Sequence, residues 1–458
     1  MLGNLRFPTL RPGYRMSTAI AFEHATVHTM AGDEALQDHT LVVRDGRIAA
    51  LGPTAALPVP ADAQRIDATG WHLLPGLADM HVHLTPLGVG AADGFAPDEA
   101  AALARSAQVL QVYLLHGVTT VRNMAGTPWH LQLRQAVREG RVAGPRIHTT
   151  GPILETRFTF AQLADFGQLV RTPEEARAAV IAQHHAGYDA IKVYNDIDAE
   201  VYDAIAATCR ELGLPMVGHV AYAKGLAGAL AARQDSIEHF RSYDFALDTR
   251  PAPDGARFVG WLHTTPARIR EVAERTAEAG TWNVPTLVIE QAITTPPPAE
   301  PPPRPHWLPT WLHKELHADT TRSVFKPEFL QAIEAGRYRR YELLSALDRA
   351  GAPLMAGSDC PGCGLVPGES LLQELDLYVE AGLTPRRALR AATVDAARFL
   401  GLGDELGTLA AGQQADVLVL RADPTASLKA LRQPVGVVAA GVWHPADELA
   451  RAMAASAA

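Results

Sequence analysis

Cysteine, long apolar runs and excess positive charge are all scarce in this chain of 458 residues. Its three cysteines are too few for the disulfide framework of a secreted protein and fit the reducing cytoplasm. No apolar run approaches the roughly 18–20 residues of a membrane-spanning helix. The formal net charge of −9 provides no basic footprint for nucleic acid or anionic membranes. We therefore expect a cytoplasmic protein with neither nucleic-acid nor membrane partners.

The middle of the chain alternates strand-like and helix-like segments. Hydrophobic residues make up 47% of the sequence, which is enough for a large core. Strands that alternate with helices are typical of a parallel sheet, and eight such strands can be counted, so the sequence predicts an α/β fold with a (β/α)8 TIM barrel. The predicted strands are Leu73–His83, Val118–Arg122 and Pro145–Thr150, three that end at Lys192, His219 and His239, then Asn283–Ile289 and one that ends at Asp359.

Both ends of the chain are instead rich in short strands and turns. In the first part, Asp45-Gly46 is a hairpin signal between two strand-like runs. These ends predict one small β-sandwich assembled from both termini, residues 16–75 and 405–458, beside a barrel of residues 76–404. Residues 1–15 contain basic residues and prolines but no apolar core of a secretory signal, and we interpret them as an N-terminal extension.

Potential metal ligands stand at the ends of the predicted barrel strands. His81 and His83 form a His-x-His pair, and side chains two residues apart in a strand point to the same face. In a chain with 18 histidines this pair alone is weak evidence. Later predicted strands end in four more candidates: Lys192, His219, His239 and Asp359. Because active sites of such barrels lie at the carboxyl ends of the strands, all six are predicted to share one site.

The order of these motifs resembles the amidohydrolase superfamily of metal-dependent hydrolases. Ile-Lys-Val-Tyr at 191–194, followed by Gly-His and Ile-Glu-His, is similar to the branch of imidazolonepropionase-like and prolidase-type amidohydrolases. The resemblance extends over roughly residues 17–445. It implies two divalent metal ions, most often zinc, with carboxylated Lys192 as the bridging ligand. The implied ligands are His81, His83, Lys192 and Asp359 for one ion, and Lys192, His219 and His239 for the other.

The implied reaction is hydrolysis by a hydroxide that the two ions share. Asp359 would act as the catalytic residue by passing the hydroxide proton to the leaving amine. The favoured function is cleavage of amide bonds in peptide-like or N-acyl substrates. Alternatives are a cyclic amidohydrolase or deaminase similar to imidazolonepropionase, an esterase or lactonase, and a non-catalytic binding barrel. A simple salt bridge at the strand end remains the alternative for Lys192.

The expected partner is a small-molecule substrate, and a homo-oligomer is compatible with the sequence. Tyrosine and arginine side chains near the ligands could hold a substrate carboxylate. The substrate-binding candidates are Tyr194, Tyr222, Arg241 and Tyr243.

Two further segments allow two interpretations each. The proline-rich residues 294–311 exclude regular helix and inner strand, and they are either a surface linker or a lid in which Trp307 or Trp311 covers the pocket. Cys360 and Cys363 have a C-x-x-C spacing, which is found in redox and zinc sites, but they also follow Asp359 in what is predicted to be a loop.

Overall fold

The computed structural model describes residues 19–84, 99–159, 161–251, 258–296, 298, 300, 302–317 and 326–456. The predicted N-terminal extension, residues 1–15, lies outside these ranges. Among the described helices, none is both long enough and apolar enough to cross a membrane.

Seventeen strands are present in the described residues. They are β1 (Ile20–Val27), β2 (Leu36–Arg44), β3 (Arg47–Pro53), β4 (Gln64–Asp67), β5 (His72–Pro75), β6 (Leu77–Val82), β7 (Val118–Asn123), β8 (Arg146–Thr149), β9 (Ile153–Glu155), β10 (Gly167–Leu169), β11 (Ile191–Val193), β12 (Met216–Gly218), β13 (Ser236–Glu238), β14 (Trp282–Val284), β15 (Val417–Leu420), β16 (Pro434–Ala439) and β17 (Val442–Pro445).

Helices follow most of the middle strands. Several begin at a threonine cap: Thr172, for example, accepts a hydrogen bond from the Glu175 amide, and proline occupies the next position. The helices are α1 (Glu99–Leu115), α2 (Pro128–Arg138), α3 (Pro173–Ala186), α4 (Ala199–Leu212), α5 (Gly225–Ala231), α6 (Tyr243–Leu247), α7 (Pro266–Ala279), α8 (Leu287–Thr294), α9 (Thr310–His317), α10 (Pro327–Ala335), α11 (Arg337–Ala350), α12 (Glu369–Glu380), α13 (Pro385–Ala391), α14 (Val394–Phe399) and α15 (Ala446–Ser456).

Strands from both ends of the chain share one hydrogen-bonded sheet, here called the terminal sheet. Its order is β17-β16-β15-β5-β1-β2-β3, with β4 also paired to β1. β15, from the C-terminal part, pairs antiparallel with β5, from the N-terminal part. The β2–β3 hairpin turns at Asp45 and Gly46, which both have positive φ, as the tight hairpin signal predicts.

The middle strands form two ladders of parallel strands. One has the order β6-β7-β8 and the other β10-β9-β11-β12-β13-β14. Isolated parallel bridges continue the ladders: Thr150 pairs with Ala190, Asn283 with Leu354, and Val82 with Cys360. The eighth predicted strand, which should end at Asp359, is therefore present only as these bridges at Leu354 and Cys360.

Besides the eighth, two predicted strands differ from the structure by more than one residue at an end. The predicted strand Leu73–His83 is two strands, because the chain leaves β5 of the terminal sheet at Pro75 and enters β6 at Leu77. The predicted strand Asn283–Ile289 ends at Val284, and the apolar residues that follow Thr286 belong to α8. Pro285 has no amide hydrogen for a ladder, and a short apolar run does not distinguish a buried strand from a buried helix.

The two tryptophans of the proline-rich segment contact α1 and the residue that follows it. Trp307 packs edge-on against His116, with ring centroids 5.5 Å apart. Trp311 donates its indole N–H to Gln108 at 2.5 Å. Thr294 ends α8 and Thr310 begins α9, so the prediction that residues 294–311 exclude helix is wrong at both ends of that range. Trp311 therefore contacts α1, and Trp307 contacts the residue directly after its C-terminal end.

The first cysteine of the loop after Asp359, Cys360, forms a hydrogen bond within that loop. Cys360 is buried, and its thiol donates to the Leu365 carbonyl at 3.2 Å. Cys363 is only partly buried. The geometry agrees with the loop interpretation of this C-x-x-C spacing.

We predict that Phe22 stabilises the terminal sheet across the two ends of the chain. It is fully buried on β1, and its ring meets Trp443 of β17 edge-on at 5.1 Å. Phe22→Ala should lower the free energy of unfolding by about 3–5 kcal/mol in chemical denaturation. Val442→Ala, on the same strand as Trp443 but 38% exposed, should change it by less than about 0.5 kcal/mol. Equal effects of the two substitutions would contradict a core shared by both ends.

Candidate metal centre

The structure brings the predicted histidines and Asp359 together where the parallel strands end. Asp359 Oδ1 lies 3.0 Å from His83 Nε2 and 3.4 Å from His81 Nε2. Its other oxygen is 3.8 Å from His239 Nδ1. The His239 ring is 4.5 Å from that of His81 and 4.9 Å from that of His219, between centroids. One carboxylate is thus surrounded by a continuous group of imidazoles.

Lys192 projects from the centre of the three-residue strand β11. It is buried, with 1% of its surface exposed, and its Nζ lies 5.7 Å from the centre of the Tyr194 ring. Gly218 on the neighbouring strand leaves room for it, because a Cβ there would lie 2.2 Å from the Val193 carbonyl oxygen and 3.1 Å from Lys192 Cγ. Gly218 also has a φ of +122°, which side chains rarely allow.

Left-handed backbone at two ligand positions directs the side chains inward. β13 ends at Glu238, and His239 then has a φ of 59°. Asp359 has a φ of 58°, and its amide donates to the His81 carbonyl at 2.7 Å. Such conformations are uncommon for residues other than glycine and occur preferentially at functional sites.

Burial keeps the imidazoles neutral. Desolvation lowers the pKa of His81, His219 and His239 well below the usual histidine value, and it lowers the pKa of His83 as well. Neighbouring histidines and Lys192 add to the effect for His219. Neutral imidazole is the form that binds a metal ion, so this electrostatic environment favours ligation.

Asp359 and Lys192 are shifted in the directions that suit the same chemistry. Burial opposes ionisation of Asp359, but the imidazoles of His239, His81 and His83 outweigh it and hold its pKa below the usual range. Burial lowers the pKa of Lys192 to about 8, against the opposing effect of Asp359 and Glu238. An ionised carboxylate therefore lies near an amine that loses its proton more readily than an ordinary lysine.

Three of the histidines are oriented by a hydrogen bond from Nδ1. His81 donates to Glu238 Oε2 at 2.8 Å, and His219 donates to Asn195 Oδ1 at 2.8 Å. His239 donates to Thr286 Oγ1 at 2.5 Å; that hydroxyl in turn donates to the Pro285 carbonyl. Because Nδ1 carries the hydrogen in each case, Nε2 presents its lone pair, as in metal-binding histidines.

Glu238, which orients the candidate ligand His81, was not among the predicted site residues. Its second oxygen accepts from Arg122 at 2.9 Å and from Ser236 at 2.5 Å, and Arg122 also donates to the Met80 carbonyl at 2.6 Å. Regular alternation would point neighbours Glu238 and His239 to opposite faces. The only signal in the sequence was the adjacency of a carboxylate to a candidate ligand.

Asp79 was missed as well. Its Oδ2 accepts from the Ser358 hydroxyl at 2.6 Å, and its Oδ1 from the Ser358 amide at 2.9 Å. These bonds attach the segment before Asp359 to β6, which bears His81. Asp79 therefore helps to set the distance between the two strands that carry the ligands.

The donor set fits a divalent metal ion. The ligand atoms of His81, His83 and Asp359 all lie within 4.8 Å of one another. His81 Nε2 is buried and has no hydrogen-bond partner, and neither has His83 Nδ1. Buried polar atoms are rarely left unpaired in proteins, so the unpaired His81 Nε2 fits a group that could hold a metal ion. Imidazole and carboxylate together suit zinc and similar ions.

Three of the four substrate-binding candidates lie near this centre. Tyr194 stacks on His219 with centroids 3.9 Å apart. Tyr222 and Arg241 line a recess beside His239. Tyr243 instead lies in the core, where its hydroxyl donates to Asn283 at 2.7 Å.

The recess beside His239 combines aromatic walls with a cation. Arg241 lies over the Phe258 ring, with Cζ 5.4 Å from its centroid, and its Nε is buried without a hydrogen-bond partner. Tyr222 and Phe245 meet edge-on at 6.0 Å. Two carboxylates, Asp244 and Glu290, also line the recess, and Glu290 forms an ion pair with Arg340.

Comparison with known proteins agrees with this geometry. Residues 72–443 match the model of the Amidohydrolase family. An imidazolonepropionase of Aromatoleum aromaticum is 30% identical over 441 residues, which cover 89% of this chain and 92% of the relative. An ochratoxinase of Aspergillus niger is 24% identical over 463 residues, with 90% and 82% covered. A crystal structure of a putative prolidase from Bifidobacterium longum superposes with a TM-score of 0.71 at 26% identity, over 95% of this chain and 98% of that one.

The matched region includes every candidate ligand from His81 to Asp359. It also contains all strands of the two parallel ladders. This chain belongs to the amidohydrolase family and is a hydrolase.

Proposed function

We propose that this protein is a binuclear metal-dependent hydrolase that cleaves amide bonds of small peptide-like or N-acyl substrates. The observation that carries the proposal is the group of neutral, oriented imidazoles around ionised Asp359, next to a buried lysine of lowered pKa. The relatives named as an ochratoxinase and a putative prolidase support a C–N bond as the target.

We also infer that the parallel ladders close into a (β/α)8 barrel. The bridges Thr150–Ala190, Asn283–Leu354 and Val82–Cys360 join the ladders end to end, in the order that closure requires. Barrel closure would place the ends of β6, β11, β12 and β13 around one opening. That arrangement explains why ligands distant in sequence meet.

Lys192 would serve as a bridging ligand after carboxylation. An amine with a pKa near 8 is partly unprotonated at neutral pH and can capture carbon dioxide as a carbamate. His81, His83 and Asp359 would share one ion with it, and His219 and His239 the other. When bound, the divalent ions would lower the pKa of water from about 15.7 toward 7 and polarise the substrate carbonyl.

Asp359 would move the proton in this reaction. Its carboxylate is ionised and faces the space between the imidazoles, so it can accept a proton from attacking water and deliver it to the departing nitrogen. The bond from its amide to the His81 carbonyl fixes its position relative to β6.

The recess beside His239 would select the substrate. Arg241 offers a cation to a carboxylate or another anionic group, and Tyr222 with Phe258 offers aromatic surface. The second candidate function is a cyclic amidohydrolase, supported by the 30% identity to an imidazolonepropionase. Lys192 on β11 favours the binuclear hydrolase over it, because a bridging ligand serves two ions.

We predict about two divalent ions per chain, with loss of activity on chelation. The six ligands suffice for two ions. Elemental analysis of metal-replete protein measures the number of ions. Assays on N-acyl amino acids, dipeptides and cyclic amides measure the activity and its loss on chelation. A single ion with full activity on a cyclic amide would favour the second candidate.

We predict that Lys192→Ala loses most activity and one or both ions. A short carboxylic acid such as acetate should restore part of the activity, because it can replace the carbamate oxygens. Lys224→Ala is the matched control, since Lys224 pairs with Asp203 at the protein surface. Near-native turnover of Lys192→Ala would exclude the bridge.

We predict that Asp359→Asn lowers kcat by a factor of about 10² or more while the fold is kept. Asparagine has nearly the same shape but cannot accept the proton, and general acid–base catalysis contributes about 10²–10⁴. Asp203→Asn, at an exposed position, is the control. The measurement is steady-state kinetics at saturating metal. A change in KM alone would mean that Asp359 takes no part in the chemical step.

A further inference from the structure

We propose that His28, His72 and Asp423 bind one divalent transition-metal ion at a site separate from the candidate metal centre. His28 Nε2 lies 3.0 Å from His72 Nδ1 and 3.6 Å from Asp423 Oδ1. One ligand atom from each residue lies within 4.8 Å of the others. Two imidazoles and a carboxylate form a donor set that zinc, cobalt and nickel accept.

The three residues come from neighbouring strands of the terminal sheet. His28 directly follows β1, His72 begins β5, and Asp423 follows β15 by a few residues. The sheet order places β5 between β15 and β1, and His72 is in register with Leu420. A metal ion here would therefore join the N-terminal and C-terminal parts of the chain.

Burial and local bonds prepare the donors. His28 is 1% exposed, and desolvation lowers the pKa of both histidines, so their rings are neutral. Asp423 is held by the Thr425 amide and hydroxyl, which both donate to its Oδ1. The Asp423 side chain is 40% exposed, so water can complete the coordination shell on that side.

Two features of the surroundings oppose or compete with metal binding. Arg386 lies near His28 and adds positive charge, but its Nε donates to Asp33 at 3.1 Å, which offsets that charge. The competing structure is a simple hydrogen bond from His28 Nε2 to His72 Nδ1. In that structure a single N–H faces both the imidazole and the carboxylate, whereas a metal ion would use all three groups.

The site would stabilise the fold and take no part in the reaction. A ligand that binds only the folded state stabilises it by RT ln(1 + [L]/Kd), where [L] is the free ligand concentration. The proposal does not depend on the proposed function, because its residues lie outside the group around Asp359.

Equilibrium dialysis with Co²⁺ tests the proposal. We expect His72→Gln to bind one equivalent less than the wild-type protein and to lose part of the Co²⁺-dependent rise in Tm. Its kcat/KM at saturating metal should stay within about twofold of wild type. His24→Gln is the matched control, because His24 lies on β1 and contacts Asp38 at 2.8 Å but has no second imidazole. Unchanged Co²⁺ stoichiometry in His72→Gln would overturn the proposal.

Two further experiments protect the test against a folding defect. Asp423→Asn keeps an Oδ1 acceptor for Thr425 and should weaken Co²⁺ binding at this site by at least about tenfold. Wild-type crystals soaked in Co²⁺ should show an anomalous peak between the three side chains. Density that shows only the direct His28–His72 contact, with cobalt bound at His81 and His83, would overturn the proposal and leave the proposed function intact. Loss of cobalt at His81 and His83 alone would contradict the proposed function and leave this site intact.

Discussion

The candidate metal centre depends on the hydrogen bonds and the ion pair that the buried carboxylate of Glu238 makes. One oxygen orients His81, and the other binds Arg122, which also holds the Met80 carbonyl. A single network thus connects β6, β7 and β13. A buried ion pair is expensive to desolvate, and removal of one partner leaves an uncompensated charge, so the network is sustained only because nearly all of its donors and acceptors are used. The hydrogen bond to Glu238 places the ring hydrogen of His81 on Nδ1, so that Nε2 faces Asp359.

Regular strands bring the candidate ligands close together, but irregular backbone orients two of the side chains toward the others. His81 and His83 need only the two-residue spacing of a strand. His239 and Asp359 need positive φ angles, and so does Thr286, which orients His239. The surrounding bonds maintain these conformations, notably those from the Asp359 amide to His81 and from Ser358 to Asp79. Positive φ angles also occur at other residues, such as Asp45 and Arg233, but at His239 and Asp359 they place candidate ligands.

The same division explains what the sequence could predict. His81, His83, Lys192, His219 and Asp359 follow from strand periodicity and from the position of strand ends, so their convergence was predictable. Glu238 was not, because alternation assigns it to the wrong face until His239 leaves the strand conformation. Tyr243 was chosen for proximity in sequence, yet it begins α6 and turns into the core toward Asn283. The first residues of α8, Leu287 to Ile289, are predicted as the end of a strand, because periodicity cannot separate a short buried helix from a buried strand.

A single residue separates the terminal sheet from the strand that bears His81. β5 ends at Pro75 and β6 begins at Leu77, so only Gly76 separates the two sheets. The Gly76 amide donates to the Asp416 carbonyl, and a Cβ at this position would lie 2.2 Å from Thr119 Oγ1, so the crossing has little freedom. The pairing of β5 with β15 therefore constrains where β6 begins, and with it the position of His81 on β6. Contacts between the two ends of the chain thus help to position a candidate ligand, because only Gly76 lies between β5 and β6.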